Sequence, residues 1–402
     1  MRVLIVNRAM GTLFGGGEAF DFGAAGALAA RGHRVTVITG RPLFGAPNRL
    51  EAAGVSFEYL AIPGLRRLAY LTARRSSKIS AGLYHLDNWI FERRVLAWLD
   101  RGQKSRHFDV VQCCALFRLP DWLLSRHGIP VVTWLPGPPS GRKRAHLRKL
   151  LRRSGFGMFA RGATCADLTR QMGLRPGVDF AVVEPGIDVP PAAAGASTAV
   201  RVELGLPPDV LLGITVARLV PVKNLAVLID AIAIAQSRSR VRWLVIGDGP
   251  ERLFLERRTE ARGVRDRVFF LGQASRARVH DCLAAADVFC LTSSYESFSI
   301  ATLEAMAHGL PAILPAVGYL PELVHRSGGG SLVPPGDPSA LADAIVQCDQ
   351  NRELAAALGA RGRRFAEAFD WPHIAERLEE VYRSVSAPGN PHLEANTHVP
   401  SN

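Results

Sequence analysis

Two glutamates eight positions apart, Glu296 and Glu304, form the most informative pair of chemical groups in this sequence. The hydropathy pattern predicts a buried strand over residues 288–291, a polar loop over 292–297 and a helix over 299–308. Glu296 then precedes the helix, and Glu304 lies about one and a half turns inside it. The two carboxylates can therefore accept hydrogen bonds from different hydroxyls of one ligand.

The start of that helix adds an anion-binding feature. Backbone amides at Phe298 and Ser299 belong to the first turn, where they have no partner within the helix and face the positive end of its dipole. The carboxylates can bind sugar hydroxyls and the amides can bind a phosphate, so the segment suits a phosphorylated sugar. A charged surface loop beside an ordinary helix salt bridge is the alternative interpretation of such a glutamate pair.

Two cations follow another predicted strand, at residues 211–216. Arg218 and Lys223 lie five positions apart in the segment ARLVPVKN. Arginine supplies a rigid fork of donors and lysine a mobile point charge, and together they suit a diphosphate. Solvated surface residues would give the same pattern.

Glycines follow two further strands. Gly16 and Gly17, together with Gly15, lie between a strand at residues 3–6 and a helix at 19–30, where a backbone without side chains can approach a diphosphate. The segment lacks the G-x-G-x-x-G fingerprint of dinucleotide-binding folds and the Walker A lysine, so a flexible turn remains the alternative. Gly247, in the segment IGDGP, fits a tight turn and a ligand site equally well.

Strands and helices alternate along the whole chain, which predicts parallel sheets covered by helices. At 402 residues the chain is long enough for two such domains. The predicted strands fall into an N-terminal series at residues 3–6, 35–38, 110–113, 131–134 and 181–183, and a C-terminal series at residues 211–216, 243–246, 268–271, 288–291 and 312–314.

A Pro-, Ala- and Gly-rich segment at residues 184–197 indicates a linker between the two series. We therefore predict one α/β domain over residues 1–188, a linker over 189–200 and a second α/β domain over 201–370. A last helix at 371–386 and a disordered tail at 387–402 complete the predicted organisation.

The net positive charge comes from the N-terminal half. Residues 1–190 contain 28 Lys and Arg against 13 Asp and Glu, a net charge of +15, whereas the whole chain carries +13. This asymmetry favours an acidic partner, either a phosphorylated acceptor or an anionic membrane surface. We expect no nucleic-acid binding, because no recognised motif for it occurs.

Two basic amphipathic stretches, residues 65–78 and 141–153, strengthen that expectation. In the second, Leu147, Leu150 and Leu151 recur at helical spacing among cations. Such a helix can lie on a membrane surface or bind an acidic ligand, and it can equally pack its leucines into a core.

Several classes of protein are not expected. The six cysteines show neither metal-ligand spacing nor a secreted disulfide framework, and the histidines form no metal motif. No signal peptide or run of about 18 apolar residues occurs. We predict a cytoplasmic protein without metal or cofactor, with peripheral attachment to the inner face of the membrane as a variant.

The order of the motifs along the chain resembles glycosyltransferase family 4, the retaining nucleotide-sugar transferases of GT-B fold. The resemblance covers about residues 1–385 and is most specific in the C-terminal half. Its motifs are GHRVTVIT, PGID, ARLVPVKN, LVIGDGP, VFFLGQ, ESFSIATLEAMAHGLP and LVPPGDPSALADAI.

The resemblance implies a GT-B fold, with two Rossmann-like domains whose parallel sheets face each other across a cleft. The second domain would bind the sugar nucleotide and the first mostly the acceptor, and the helix at 371–386 would pack back on the first domain. Many members carry a histidine after a strand of the first domain, where this chain reads VTWLPGPP at residues 132–139. The paired glycines usual before Glu322 are here Gly318 and Tyr319, so a different donor-sugar preference is expected.

The resemblance also implies site residues. Arg218 and Lys223 would hold the donor diphosphate, Glu296 would contact the transferred sugar, and Glu304 would bind the ribose hydroxyls. Gly272 would lie near the base. The implied catalytic residues are Glu296, Arg218 and Lys223, and the implied donor-binding residues are Gly16, Gly17, Arg218, Lys223, Gly247, Gly272, Phe298, Ser299, Ile300 and Glu304.

The resulting hypothesis is a metal-independent retaining glycosyltransferase that moves a sugar from a UDP- or GDP-linked donor to a glycan, lipid-linked or specialised-metabolite acceptor. Two alternatives stay open. A sugar-nucleotide epimerase of the same fold would turn over donor without acceptor, and a non-catalytic partner subunit would bind sugar nucleotide without turnover.

Overall fold

The computed structural model divides the chain into two compact units, one formed by described residues of 1–186 and 371–387 and the other by 187–370. The structure describes residues 1–10, 16–43, 50–65, 77–101, 104, 107–114, 116, 118–135, 142–153, 156–159, 170–191, 198–207 and 209–387.

The first unit contains a seven-stranded parallel sheet in the order β3-β2-β1-β4-β5-β6-β7. Strands β2 and β3 are added on one side of β1, and the strands from β4 onward are added on its other side. The loop after β1 therefore follows the strand at which parallel sheets of this kind bind ligands. The strands are β1 (Arg2–Val6), β2 (Arg34–Pro42), β3 (Val55–Ile62), β4 (Val110–Cys114), β5 (Val131–Leu135), β6 (Phe156–Phe159) and β7 (Phe180–Val182).

Helices cover this sheet and bury its apolar core. The described helices of the unit are α1 (Gly16–Ala30), α2 (Ser77–Asp100), α3 (Arg118–His127), α4 (Arg142–Arg153) and α13 (Trp371–Ser386), the last from the C-terminal end of the chain.

Helix α13 is bound to the unit by close packing and by a buried polar network. The Trp371 ring lies against Gly23 of α1, where an added Cβ would come within 1.9 Å of it. The Tyr382 hydroxyl donates to Oε1 of Gln112 at 2.6 Å, and Nε2 of Gln112 donates to Asp21 at 2.5 Å. Burial raises the pKa of Asp21 to about 7 despite these donors.

The second unit contains a six-stranded parallel sheet in the order β10-β9-β8-β11-β12-β13. Chain order reverses between β8 and β11, so the loops that follow these two strands are neighbours at the carboxyl edge. The strands are β8 (Leu212–Val216), β9 (Arg242–Ile246), β10 (Val268–Gly272), β11 (Val288–Cys290), β12 (Ala312–Pro315) and β13 (Gly330–Val333).

The helices of the second unit bury a core of Leu, Ile, Val and Ala side chains against this sheet. Short 3-10 turns cover Pro221–Lys223 and Glu367–Phe369. The described helices are α5 (Thr198–Glu203), α6 (Leu225–Ala235), α7 (Arg252–Ala261), α8 (Arg276–Ala285), α9 (Ile300–Ala307), α10 (Leu320–Ser327), α11 (Pro338–Gln350) and α12 (Arg352–Ala366).

The predicted α/β class with parallel sheets is confirmed, but three strands were not predicted: β3, β6 and β13. The predicted start of α1 was also wrong. Gly16 and Gly17 are its first two residues rather than part of the preceding loop. They therefore lie at a helix start, where backbone amides lack helical partners.

The leucines of α4 face the protein interior. Leu147, Leu150 and Leu151 are all buried in the core of the first unit. The membrane-surface interpretation of this apolar stripe was therefore wrong, because core packing already uses it.

Parts of several predictions concern residues outside those described: Gly15, most of the basic stretch 65–78, the departure at 136–139 and the tail from 388 onward. Across the described residues, no helix combines the length and the apolar character needed to cross a bilayer.

Candidate functional site

The predicted donor-binding segments of the second unit meet at the carboxyl edge of its sheet. The loops after β8, β9, β10, β11 and β12 lie side by side in the order set by the strands, and backbone hydrogen bonds join each loop to the next. Groups that are far apart in sequence are thereby held together by main chain.

Gly247 and Gly272 lie together at one end of this row. The Gly247 amide donates to the Gly272 carbonyl at 2.8 Å. A Cβ on Gly247, whose φ is +130°, would come within 1.9 Å of the Ala217 carbonyl oxygen. Glycine at position 247 is thus required by the close approach of two loops, and a role of Gly247 in donor binding stays a prediction.

Lys223 and Glu296 form the centre of the site. Lys223 Nζ lies 2.5 Å from Glu296 Oε2, and both side chains are largely buried, with 20% and 12% of their surface exposed. Oε1 of Glu296 makes no hydrogen bond within the described part of the chain. It is thus available as an acceptor for a ligand hydroxyl.

Backbone contacts fix the two loops that carry this pair. The Ser294 amide donates to the Val222 carbonyl at 2.8 Å, and the Thr292 hydroxyl donates to the Lys223 carbonyl at 2.9 Å. The ion pair is therefore supported from both loops rather than by two mobile side chains alone.

Arg218 supplies a second cation on the same loop as Lys223. Its side chain is exposed and forms no hydrogen bond or ion pair with any other described residue. An unpaired guanidinium on the same loop as a lysine that is already paired leaves net positive charge available for an anion.

The first turn of α9 lies directly after Glu296. Ser299 caps the helix through its hydroxyl, which accepts from the Thr302 amide at 3.3 Å, and its backbone is left-handed, with φ +78° and ψ +83°. Among described residues, no acceptor faces the amides of Phe298, Ser299 and Ile300. These amides are therefore available as donors at the positive end of the helix dipole, and the anion that they would bind stays a prediction.

Glu304 lies one turn further along α9. Burial raises the pKa of its carboxyl group to about 7, and nearby Arg276 lowers it only in part. A carboxyl group whose pKa is near 7 changes protonation state around neutral pH. Its ionised form accepts a hydrogen bond from a ligand hydroxyl, and its neutral form carries a proton itself.

A histidine pair lies on the helices around Glu304, and the sequence did not indicate it. Nδ1 of His280 on α8 lies 2.9 Å from Nε2 of His308, the C-cap of α9. Burial lowers the pKa of both, that of His308 to about 4. Both rings are therefore neutral at physiological pH, and one donates a hydrogen bond to the other.

Gly16 and Gly17 belong to the first unit, at the N-terminus of α1. Every other predicted site residue lies in the second unit. Within the described residues, no group of three or more His, Cys, Asp or Glu side chains is arranged to hold a metal ion.

Comparison with known proteins finds a family match within the second unit. Residues 197–365 match the family model described as glycosyl transferases group 1. The chain is 36% identical to the D-inositol 3-phosphate glycosyltransferase of Xylanimonas cellulosilytica over 227 residues, which are 55% of this chain and 53% of that protein. It spans about half the length of the curated relatives it matches.

Solved structures show the same fold over nearly the whole chain. Sucrose-phosphate synthase from Thermosynechococcus elongatus matches with a TM-score of 0.75 at 22% identity, covering 95% of this chain and 98% of that one. HepE of Anabaena, crystallised in complex with UDP-glucose, matches with a TM-score of 0.71 at 20% identity, covering 96% of this chain and 100% of that one. The fold is GT-B, and residues 197–365 match the group 1 glycosyl transferase family, in agreement with the family-4 resemblance of the motifs.

Proposed function

We propose that this protein is a metal-independent, retaining glycosyltransferase that takes a sugar from a UDP- or GDP-linked donor. The observation that carries the proposal is the Lys223–Glu296 pair on two neighbouring loops, one of which also carries the unpaired Arg218 and the other the free amides at the start of α9. These groups provide cations for a diphosphate and a carboxylate for a sugar hydroxyl within one row of loops.

The proposed step breaks the bond between the anomeric carbon and the diphosphate oxygen, whose electron pair stays on the phosphate. Lys223, Arg218 and the α9 amides stabilise the charge that grows there, and they act more strongly on the transition state than on the ground state. The acceptor oxygen bonds to the anomeric carbon on the same face, and its proton passes to the leaving phosphate.

Glu296 and Glu304 have separate roles in this proposal. Glu296 contacts the transferred sugar and favours positive charge at the anomeric carbon electrostatically, without acting as a nucleophile. Glu304 accepts from the ribose hydroxyls. The UDP-glucose bound by HepE supports a uridine nucleotide as the donor.

The acceptor is proposed to be a glycan, a lipid-linked sugar or a specialised metabolite that carries negative charge. The net charge of +15 over residues 1–190 favours such a molecule. A relative named for D-inositol 3-phosphate supports a phosphorylated acceptor.

The proposed place of action is the cytoplasm, at the inner face of the membrane if the acceptor is lipid-linked. Because the α4 leucines are buried, attachment would depend on basic side chains. Co-sedimentation with vesicles containing anionic lipid should then occur at low salt and disappear at high salt. Absence of binding at low salt contradicts the membrane proposal.

The activity test incubates the protein with a panel of UDP- and GDP-sugars, with and without inositol phosphate and glycan acceptors, and analyses products by mass spectrometry and NMR. A new glycoside with the donor's anomeric configuration supports the proposal. An inverted product contradicts retention. An isomerised donor formed without acceptor indicates an epimerase, and donor binding without any turnover indicates a partner subunit.

A further inference from the structure

Tyr319, in the loop between β12 and α10, lies under the Glu296 loop. Its side chain is 1% exposed, and its ring stacks on Phe298 with centroids 5.4 Å apart and an interplanar angle of 8°. The Tyr319 amide donates to the Glu296 carbonyl at 3.2 Å. One residue therefore contacts both the carboxylate-bearing residue and the start of the α9 turn.

Main-chain contact at Gly318 brings the two loops this close. Gly318 has a φ of +54°, and an added Cβ would lie 1.9 Å from the Glu296 carbonyl oxygen. A side chain at position 318 would separate the loops, whereas the side chain at position 319 packs beneath them.

The Tyr319 ring belongs to a closed set of contacts, the Tyr319 cluster, formed with Phe298, Arg326, Phe365 and Phe369. Arg326 donates to the Tyr319 hydroxyl at 2.6 Å and lies over the Phe365 ring at 5.4 Å. The ring centroids of Phe365 and Phe369 lie 5.0 Å apart, and those of Phe369 and Phe298 lie 6.3 Å apart. Because the contacts close on themselves, the Phe298 ring is restrained from two sides.

The backbone next to Phe298 needs such a restraint. Ser299 holds a left-handed conformation with φ +78° and ψ +83°. A non-glycine residue keeps such a conformation only where its surroundings enforce it. The orientation of the free amides at the start of α9 depends on this left-handed conformation of Ser299. The position of Glu296, two residues before Phe298, depends on it as well.

We infer that Tyr319 is a positioning residue that holds the Glu296–Ser299 segment in its donor-binding conformation. The inference rests on the proposed function for what that segment binds. A glycine at position 319 would keep the amide that donates to Glu296, but it would lack both the ring that packs on Phe298 and the hydroxyl that Arg326 binds. Donor affinity and turnover therefore depend on a residue that does not contact the donor.

The first test needs no donor. Hydrogen exchange of the Ser294, Thr302 and Leu303 amides, which form hydrogen bonds within or beside the Glu296–Ser299 segment, is compared in four proteins. These are the native protein, Tyr319→Phe, Tyr319→Gly and Leu341→Ala, which removes a buried core side chain outside the Tyr319 cluster. In Tyr319→Gly these three amides should exchange about tenfold faster, without matching acceleration elsewhere in the unit. Tyr319→Phe should stay close to the native rate, because it keeps the stack.

A uniform acceleration across the second unit in Tyr319→Gly, of the kind expected for Leu341→Ala, would overturn the inference and leave Tyr319 as an ordinary core residue. An unchanged exchange rate at the Ser294, Thr302 and Leu303 amides would overturn it as well. The exchange measurement can be interpreted even if no nucleotide sugar binds the native protein. Absence of such binding would refute the proposed function, but not the inference that Tyr319 holds the segment in place.

The second test uses UDP as the binding probe and a turned-over nucleotide sugar for kinetics. Tyr319→Gly should weaken UDP binding about tenfold and lower kcat, and Tyr319→Phe should restore both to within about threefold of native. Native UDP affinity and kcat in Tyr319→Gly would contradict the positioning role. Leu341→Ala should lower the melting temperature while leaving UDP affinity unchanged.

Discussion

The ammonium group of Lys223 and the carboxylate of Glu296 lie 2.5 Å apart, although 73 residues separate them in the chain. The pair exists because β8 and β11 are adjacent strands, so the loops that follow them meet at one edge. Lys223 is thus held beside the proposed diphosphate position before any ligand arrives, which lowers the cost of ordering it on binding.

A double-mutant cycle should show that this pair is energetically coupled. Lys223→Ala and Glu296→Ala should each destabilise the protein, and the double variant should be less unstable than the sum by about 0.5–3 kcal/mol. Chemical denaturation measures the free energies. Arg238 and Asp343, an ion pair 2.8 Å apart with exposed side chains, serve as the control and should couple by less than about 1 kcal/mol. If the stability losses of Lys223→Ala and Glu296→Ala simply add in the double variant, the contact does not contribute to the free energy of unfolding.

The raised pKa of Glu304, about 7, predicts a pH-dependent donor affinity. Below that pKa the carboxyl group carries a proton and loses its advantage as an acceptor for ribose hydroxyls, so affinity should fall as pH drops from 8 to 6. Titrations with a nucleotide sugar should approach a tenfold loss per pH unit below the pKa. His308, with a pKa of about 4, stays neutral throughout this range.

Glu304→Gln is the matched control for that pH dependence. This variant should bind more weakly at pH 8 and show a nearly flat profile between pH 6 and 8. An unchanged slope would assign the titration to another group.

Gly247→Ala should damage the site through the backbone. The added Cβ would meet the Ala217 carbonyl oxygen at 1.9 Å, so the loop that carries Arg218 has to move. We expect a stability loss of about 1–3 kcal/mol and weaker donor binding. Gly26→Ala, in α1 with nothing within 4 Å of the new Cβ, should instead be neutral or stabilise by up to about 1 kcal/mol. Equal stability of the two variants would contradict the loop contact.

Tyr382→Phe should destabilise the first unit. Removing its hydroxyl leaves the buried Gln112 carbonyl oxygen without its donor, at a cost of about 1–3 kcal/mol. Tyr59→Phe offers a milder comparison, because the Tyr59 hydroxyl accepts from the half-buried Leu50 amide. A loss at Tyr382 no greater than at Tyr59 would contradict the importance of the buried network.

The sequence predicted the strands that are continuous apolar runs, among them the edge strands β7 and β10, and missed three strands whose apolar runs are interrupted. Strands β3 and β13 lie at sheet edges and alternate or carry polar residues, and β6 contains Gly157. A partly exposed strand does not need a continuous apolar run, so its pattern resembles that of a loop.

The site was predictable group by group but not as an arrangement. Local pattern placed Arg218, Lys223, Glu296 and the α9 start each at the end of a strand, which the structure bears out. Which strands are neighbours depends on long-range pairing, so the Lys223–Glu296 contact could not be read from spacing. Tyr319 was noted only as a departure from paired glycines, because nothing local indicates that its ring packs on Phe298.

The most direct test of the central claim is calorimetric titration of the native protein and of Arg218→Ala with UDP-glucose, followed by GDP- and TDP-linked sugars. We predict that the native protein binds at least one of them and that Arg218→Ala weakens this binding by about 10- to 100-fold, the value of a charge-assisted hydrogen bond. Arg238→Ala, on the exposed pair used above, should bind like the native protein. Binding of none of these nucleotide sugars, or equal affinity of native protein and Arg218→Ala, would contradict a donor site at this edge of the sheet.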